Sequence, residues 1–319
     1  MPRTRCAILD DYQNVACKVT DWSKVADDLD IKVFNEHLGG ADNVVNALQG
    51  FAIVCAMRER TAFPRAVIEK LPDLKLLITT GARNASIDVA AAKERGVVVC
   101  GTTSLGSPTS GIAIGLMLEL TRRIGYENAR MKAGVPWQST IGLDLEGMTL
   151  GVLGLGKLGT RTAAIAKAFG MKVIAWSQNL TPEKCQAAGV DYASKDELFC
   201  RADFVTIHLV LSQRTRGLVG ASEIALMKPS AYIINTSRGP IVDEATLLAA
   251  LREKKIAGAG LDVFDVEPLP VDHPLRKMDN VVLTPHLGYV AMQNYRAYFA
   301  GVVDDIRAFL DGKPLRVLE

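Results

Sequence analysis

The sequence predicts an α/β protein with two doubly wound parallel sheets. Three observations carry this: short apolar runs alternate with helix-like segments, closely spaced glycines interrupt one of those runs, and the last long segment is amphipathic. Such alternation argues for parallel strands joined by crossover helices, and 319 residues suffice for two units of ordinary size.

In chain order, apolar runs at 6–9, 31–34, 51–56, 76–80 and 97–100 read as strands, with helix-like segments at 42–48, 63–70 and 87–95 between them. Residues 108–132 read as one long, mostly apolar helix, too often interrupted by Gly and charge to span a membrane. Its simplest use is to link two units. Strands follow at 172–176, 204–208, 231–235, 258–262 and 281–284, with helices at 183–188, 195–200, 222–227 and 244–254. Finally Tyr295, Tyr298, Phe299, Val302, Val303 and Ile306 recur at helical spacing, an amphipathic helix expected to pack back on the first unit.

The second unit opens on Thr149-Leu150-Gly151-Val152-Leu153, then Gly154-Leu155-Gly156-Lys157-Leu158-Gly159, then a helix-like run at 160–169. This is a strand, a tight turn and a helix N-terminus. Gly154-x-Gly156-x-x-Gly159 has dinucleotide-binding spacing: the first Gly makes the turn, the second admits a pyrophosphate, and the third lets helix pack on strand. The backbone N–H groups and positive dipole end of the helix then face the phosphates. Open sheets of this kind bind ligands beyond the carboxyl ends of their strands, so the chemistry is expected there.

Composition narrows the function further. Lys+Arg 37 against Asp+Glu 35 leaves a formal charge of +2 without a basic block, which argues against a nucleic-acid footprint. Cys6, Cys17, Cys55, Cys100, Cys185 and Cys200 form no C-x-x-C pair and read as buried thiols in a reducing cytoplasm. Met1-Pro2-Arg3-Thr4-Arg5 leads into only a short apolar run, so neither a signal peptide nor a membrane anchor is expected. No His, Cys and carboxylate spacing suggests a metal site, and hydride transfer would not need one.

Three polar residues follow apolar strands at Gly/Pro-rich turns: Arg238 in Asn235-Thr236-Ser237-Arg238-Gly239, Glu267 in Glu267-Pro268, and His286 in Thr284-Pro285-His286. Interconverting an alcohol and a ketone at a nicotinamide needs a proton donor and acceptor, and a cation to polarise the carbonyl and hold an anionic substrate. Histidine and arginine suit those tasks, and a carboxylate beside the histidine would orient its ring.

With these motifs in order, the chain resembles the D-isomer-specific 2-hydroxyacid dehydrogenase family along nearly all its length. The glycine turn, Asn235-Thr236-Ser237-Arg238-Gly239, Leu261-Asp262-Val263-Phe264 with Glu267-Pro268, and Thr284-Pro285-His286 carry the resemblance. It implies that Arg238 binds the substrate carboxylate and carbonyl, that Glu267 supports His286, and that His286 exchanges the proton. It further implies a Rossmann cofactor domain, 102–285, inserted in a flavodoxin-like substrate domain formed by 1–101 and 286–319, and a homodimer built on the cofactor domain. Asp262, Thr236 and Thr109 are then expected near the nicotinamide half of the cofactor, with His208 in a supporting role. The implied substrate is a small 2-hydroxy or 2-keto acid.

The sequence departs from the family pattern at Gly111, where relatives commonly carry Glu, and at two places that bear on ligand binding. The second strand of the glycine-turn unit ends Trp176-Ser177-Gln178-Asn179, without the acid that usually meets the ribose of NAD and without an Arg for the phosphate of NADP. This neutral set could admit either cofactor, with NAD favoured. In Gly81-Ala82-Arg83-Asn84, Arg83 replaces a small residue in a loop implied to hold the substrate carboxylate through backbone N–H groups near Ala82. Arg83 is either a solvated side chain or a selector for a second anionic or bulky polar group, and Arg58, after a strand of the first unit, is a further substrate candidate. The alternative class is a dinucleotide-sensing, corepressor-like binding protein of the same fold, disfavoured because the chain ends soon after its last helix. A biosynthetic phosphoglycerate dehydrogenase is a further possibility, although no regulatory domain follows the last helix.

Overall fold

A computed structural model describes residues 3–106 and 108–319; Met1, Pro2 and Ser107 lie outside the described residues. The chain divides into two compact units, Met1–Gly106 with Ala291–Glu319, and Ser107–Val290. His286, grouped at sequence level with the first unit, therefore falls in the second.

In the first unit, strands β1 (Thr4–Ile8), β2 (Leu29–Val33), β3 (Ile53–Ala56), β4 (Leu76–Thr79) and β5 (Val98–Gly101) form a parallel sheet in the order β2-β1-β3-β4-β5. Every residue of β3 and β4 is buried, as expected of parallel strands covered on both faces. Helices α1 (Ala41–Ala47), α2 (Arg65–Ile68) and α3 (Val89–Glu94) make the crossovers. Asp88 starts α3 by accepting the Ala91 N–H.

The second unit begins with α4 (Pro108–Arg122) and α5 (Ile124–Lys132). Here the structure corrects the expectation of one continuous helix over 108–132. Arg123 takes a left-handed conformation, φ +50°, and both carboxylate oxygens of Glu119 accept the Gly125 N–H, at 3.0 and 2.8 Å. The side chain thus satisfies a backbone donor at the start of a new helix. Strands β6 (Thr149–Leu153), β7 (Lys172–Trp176), β8 (Asp191–Tyr192), β9 (Phe204–Ile207), β10 (Tyr232–Asn235), β11 (Gly258–Leu261) and β12 (Val281–Leu283) form a parallel sheet in the order β12-β11-β10-β9-β6-β7-β8. Its direction of winding reverses between β6 and β9, the place where such sheets open a crevice. Helices α6 (Lys157–Ala168), α7 (Pro182–Ala187), α8 (Lys195–Arg201), α9 (Ala221–Leu226) and α10 (Glu244–Arg252) connect the strands. The short β8 was not anticipated; its two exposed residues carry no apolar pattern.

The last helix, α11 (Met292–Leu310), returns to the first unit and buries Tyr295, Tyr298, Phe299, Val302, Val303 and Ile306. Each such side chain contributes about 1.5–3 kcal/mol by leaving water. The chain then lies against β5, with Leu318 donating to the Val99 carbonyl at 2.8 Å. Among the described residues, no helix is long and apolar enough to cross a membrane.

Within α11, Asp305 is fully buried and paired with Arg316 at 2.8 Å. Burial pushes its carboxyl up from 3.8 to about 6, against the opposing pull of Arg316. An acid raised in the folded state stabilises most below its unfolded pKa, and that contribution is lost as pH rises through about 6. Relative to the parent, the Tm of Asp305→Asn should therefore rise between pH 4.5 and 7.5, by on the order of 5 °C. A difference independent of pH in thermal scans would refute the assignment.

Candidate active site

The glycine turn sits between β6 and α6. Gly154 has φ +104°, and a Cβ there would lie 2.7 Å from the His208 carbonyl oxygen. A Cβ on Gly159 would overlap the Gly154 carbonyl oxygen, so helix and turn touch backbone to backbone. Around Gly156 the corresponding space is open to 4 Å. The capping position of α6 is Gly156, which has no side chain to accept the first helical N–H groups. Two polar atoms on neighbouring strands complete this edge. Thr236 Oγ1 and His208 Nδ1 are buried with no hydrogen-bond partner among the described residues. Burial lowers His208 to about 4, so its ring is neutral, and its Nε2 lies 3.0 Å from Thr206 Oγ1. An anion cradle and two unmatched polar atoms along one sheet edge fit a dinucleotide. Lys157, Gln178 and Asn179 are exposed beside it, and Leu158 and Ser177 are half-buried.

At the end of β10, the Asn235 side chain closes the turn on both sides, donating to the Arg238 carbonyl at 2.9 Å and accepting the Ser237 N–H at 3.0 Å. Ser237 Oγ donates to the Ile207 carbonyl of β9 at 2.7 Å. Arg238 leaves this turn half-buried, with Nη1 donating to the Ser237 carbonyl at 2.7 Å. A Cβ on Gly239 would overlap the Phe264 backbone, so the arginine turn and the segment carrying Glu267 pack without an intervening side chain.

Glu267 and His286 meet directly. Glu267 Oε2 lies 2.6 Å from His286 Nδ1, while Oε1 accepts the Phe264 N–H at 3.0 Å. The histidine is left-handed, φ +54°, and its ring packs edge-to-face with Tyr289, the centroids 5.6 Å apart. Asp262, at the end of β11, holds this loop. Its Oδ1 accepts Thr284 Oγ1 at 2.6 Å and Leu287 N at 2.7 Å, and its Oδ2 accepts Gly288 N at 2.7 Å. Burial raises the Asp262 carboxyl despite these donors and the nearby His286. Thr109 on α4 donates to the Gly288 carbonyl at 2.8 Å. Asp262 and Thr109, expected beside the nicotinamide, thus engage the histidine loop.

The remaining candidates belong to the first unit. Arg58 is left-handed, φ +52°, with N donating to Thr80 Oγ1 at 3.0 Å and Nε 3.6 Å from Glu59. Its Nη1 covers Gly81, where a Cβ would overlap it. Ala82 and Arg83 are exposed. Asn84 Nδ2 donates to the Arg58 carbonyl at 2.6 Å and to Thr79 Oγ1 at 3.0 Å. Sequence reasoning did not single out Asn235, Ser237, Thr284 or Asn84; the first three lie inside or beside the recognised motifs, the only available signal.

Residues 114–288, over half the chain, match the D-isomer specific 2-hydroxyacid dehydrogenase NAD binding domain. The D-3-phosphoglycerate dehydrogenase of Methanocaldococcus jannaschii is 40% identical over 82% of this chain, which spans half of that protein's length. The glyoxylate reductase of Thermococcus litoralis is 36% identical over 78% of both chains. The crystal structure of a phosphoglycerate oxidoreductase from Vibrio cholerae aligns over 97% of this chain and 99% of that one, with a TM-score of 0.91 and 32% identity. The chain belongs to the D-isomer specific 2-hydroxyacid dehydrogenase family, and its cofactor is NAD.

Gly159→Ala tests the backbone contact at the turn. Overpacking of this kind costs about 1–3 kcal/mol, so NADH affinity should fall on the order of tenfold in a fluorescence titration. An unchanged affinity would separate this turn from cofactor binding.

Proposed function

We propose that this family member reduces 2-keto acids to D-2-hydroxy acids and catalyses the reverse, with His286 as acid and base and Arg238 as carboxylate anchor. The observation carrying the reading is the 2.6 Å contact between His286 Nδ1 and Glu267, at the carboxyl edge of the dinucleotide-binding sheet. Nδ1 is committed to the carboxylate, so Nε2 is the ring nitrogen that meets the substrate oxygen. In reduction it gives a proton to the carbonyl oxygen; in oxidation it takes one from the hydroxyl. Glu267 fixes the ring and compensates its charge when both nitrogens carry protons. Arg238 pairs its planar guanidinium with the substrate carboxylate and draws charge from the adjacent carbonyl.

The glycine turn, Thr236 and His208 would hold NAD, which when bound would supply the hydride acceptor and, when reduced, the donor. Ser177, Gln178 and Asn179 present no carboxylate that would repel a phosphorylated ribose, so NADP use is expected as well. A homodimer is proposed on the exposed apolar residues of α5 and its following segment, including Ile124, Met131, Trp137 and Ile141. Sedimentation of the parent and of Trp137→Glu with Ile141→Glu tests it: the parent should run as a dimer and the variant as a monomer. Cys6, Cys55, Cys100 and Cys185 are buried as expected, whereas Cys17 and Cys200 are exposed; none forms a disulfide, which favours a reducing cytoplasm.

The reaction is tested by oxidation of NADH and NADPH against glyoxylate, hydroxypyruvate, pyruvate, phenylpyruvate and 2-ketoglutarate. At least one acid should turn over, and His286→Ala should lower kcat by about 10²–10⁴-fold. Full turnover by that variant would overturn the mechanism.

A further inference from the structure

Glu267 sits on the long connection between β11 and β12, in Glu267-Pro268-Leu269-Pro270-Val271-Asp272-His273-Pro274. Pro268, Pro270 and Pro274 lack an N–H, so the stretch cannot join a strand ladder and must be held in other ways. Before it, the Phe264 backbone rests on Gly239, and the Phe264 N–H meets Glu267 Oε1 at 3.0 Å. After it, Leu275 is buried in the same core against which Leu269 packs.

Between these anchors, two successive carbonyls meet one guanidinium. Arg276, in the short turn Pro274–Lys277, donates from Nη2 to the Leu269 carbonyl at 2.7 Å and from Nε to the Pro270 carbonyl at 2.8 Å. Nε and Nη2 form one side of a planar fork, so the pair of bonds fixes direction as well as distance. The Pro270 carbonyl also accepts the His273 N–H at 3.1 Å. His273 Nδ1 accepts the Leu275 N–H at 3.3 Å, which leaves Nε2 to donate to Glu244 Oε1 of α10 at 3.2 Å. The connection is thus tied to itself by Arg276 and to α10 by His273. Leu269 is two residues from Glu267, whose Oε2 lies 2.6 Å from His286 Nδ1. A shift of this backbone carries the carboxylate with it.

We propose that Arg276 is a positioning residue: by clamping the Leu269 and Pro270 carbonyls it fixes the backbone that carries Glu267, and so the carboxylate that orients His286. The proposal deepens the dehydrogenase reading above and rests on it. Every group concerned belongs to the second unit. A guanidinium that only stiffened the connection would lower Tm, and any effect on kcat would be the same with or without Glu267. A positioning residue acts through that carboxylate, so its effect vanishes when the carboxylate is removed.

The test is a double-mutant cycle of Arg276→Ala and Glu267→Ala, with Arg276→Lys beside it. It reads kcat and KM for an acid that the parent turns over, NADH affinity by fluorescence, Tm, and the NMR signal of the His286 Nδ1–H, which a short bond to a carboxylate moves far downfield. Arg276→Ala should lower kcat about tenfold, leave NADH affinity unchanged and weaken or remove the downfield signal. In the Glu267→Ala background the same change should alter kcat little. Arg276→Lys keeps the charge without the fork, so it should lie between parent and Arg276→Ala, and it carries the comparison if the alanine variant does not fold. Undiminished kcat in the folded variant, or a loss of the same size without Glu267, overturns the proposal. Should the parent turn over none of the acids, the dehydrogenase reading falls, and the N–H signal decides the clamp: an identical signal in parent and variant overturns it.

Discussion

The arrangement around His286 depends on the carboxylate of Asp262. It reaches from the end of β11 to the loop after β12 and receives one hydroxyl and two backbone N–H groups. Three donors offset much of the cost of burying an ionised group, which would otherwise be several kcal/mol. The loop can then hold a left-handed histidine, and its ring reaches Glu267. Without that anchor, the Glu267 contact would have to position the ring alone, through a side chain with three rotatable bonds. Thr109 adds a tie from α4 to the same loop, so a helix, a strand end and a short turn all determine where the imidazole lies.

The other parts of the site rely on missing side chains. Gly239 lets the arginine turn rest on the Phe264 backbone, and Gly159 lets α6 rest on the Gly154 carbonyl. Both are contacts between rigid backbone segments, which lose little entropy on ordering and tolerate little displacement. The consequence for Arg238 is specific. Its backbone is locked by Asn235 and by the Gly239 contact, and its guanidinium is held by a bond from Nη1 to the Ser237 carbonyl.

Much of this was legible in the sequence for a physical reason. A dinucleotide turn, an arginine turn and a histidine turn each need particular residues at short spacing, and such patterns survive as motifs. Parallel strands announce themselves as apolar runs because both faces are covered. The break at Arg123 was not legible, since neither Gly nor Pro occupies that position and the determining contact is a Glu119 side chain on a backbone N–H. The anchoring role of Asp262 was hidden for a related reason: its partners lie 22 to 26 residues away, and only the fold brings them together. Asp10 belongs to no motif, and only the fold brings the Thr61 hydroxyl to it, 51 residues away.

Two histidines at the carboxyl ends of one sheet differ in environment in a way that matches the roles proposed for them. His208 lies at the end of β9, where desolvation without a charged partner keeps the ring neutral, so it can offer only hydrogen-bond donation or acceptance. His286 has a carboxylate 2.6 Å from Nδ1 and a partly exposed ring, which gives the protonated form an electrostatic partner and solvent a route to it. A group that must carry a proton in one half-reaction and release it in the other needs that second environment. A group that only touches a cofactor is better served by the first, because a fixed neutral state keeps cofactor affinity independent of pH over the working range. The motif around His286 already sets it apart from His208 in the sequence; the neighbouring carboxylate gives the physical reason.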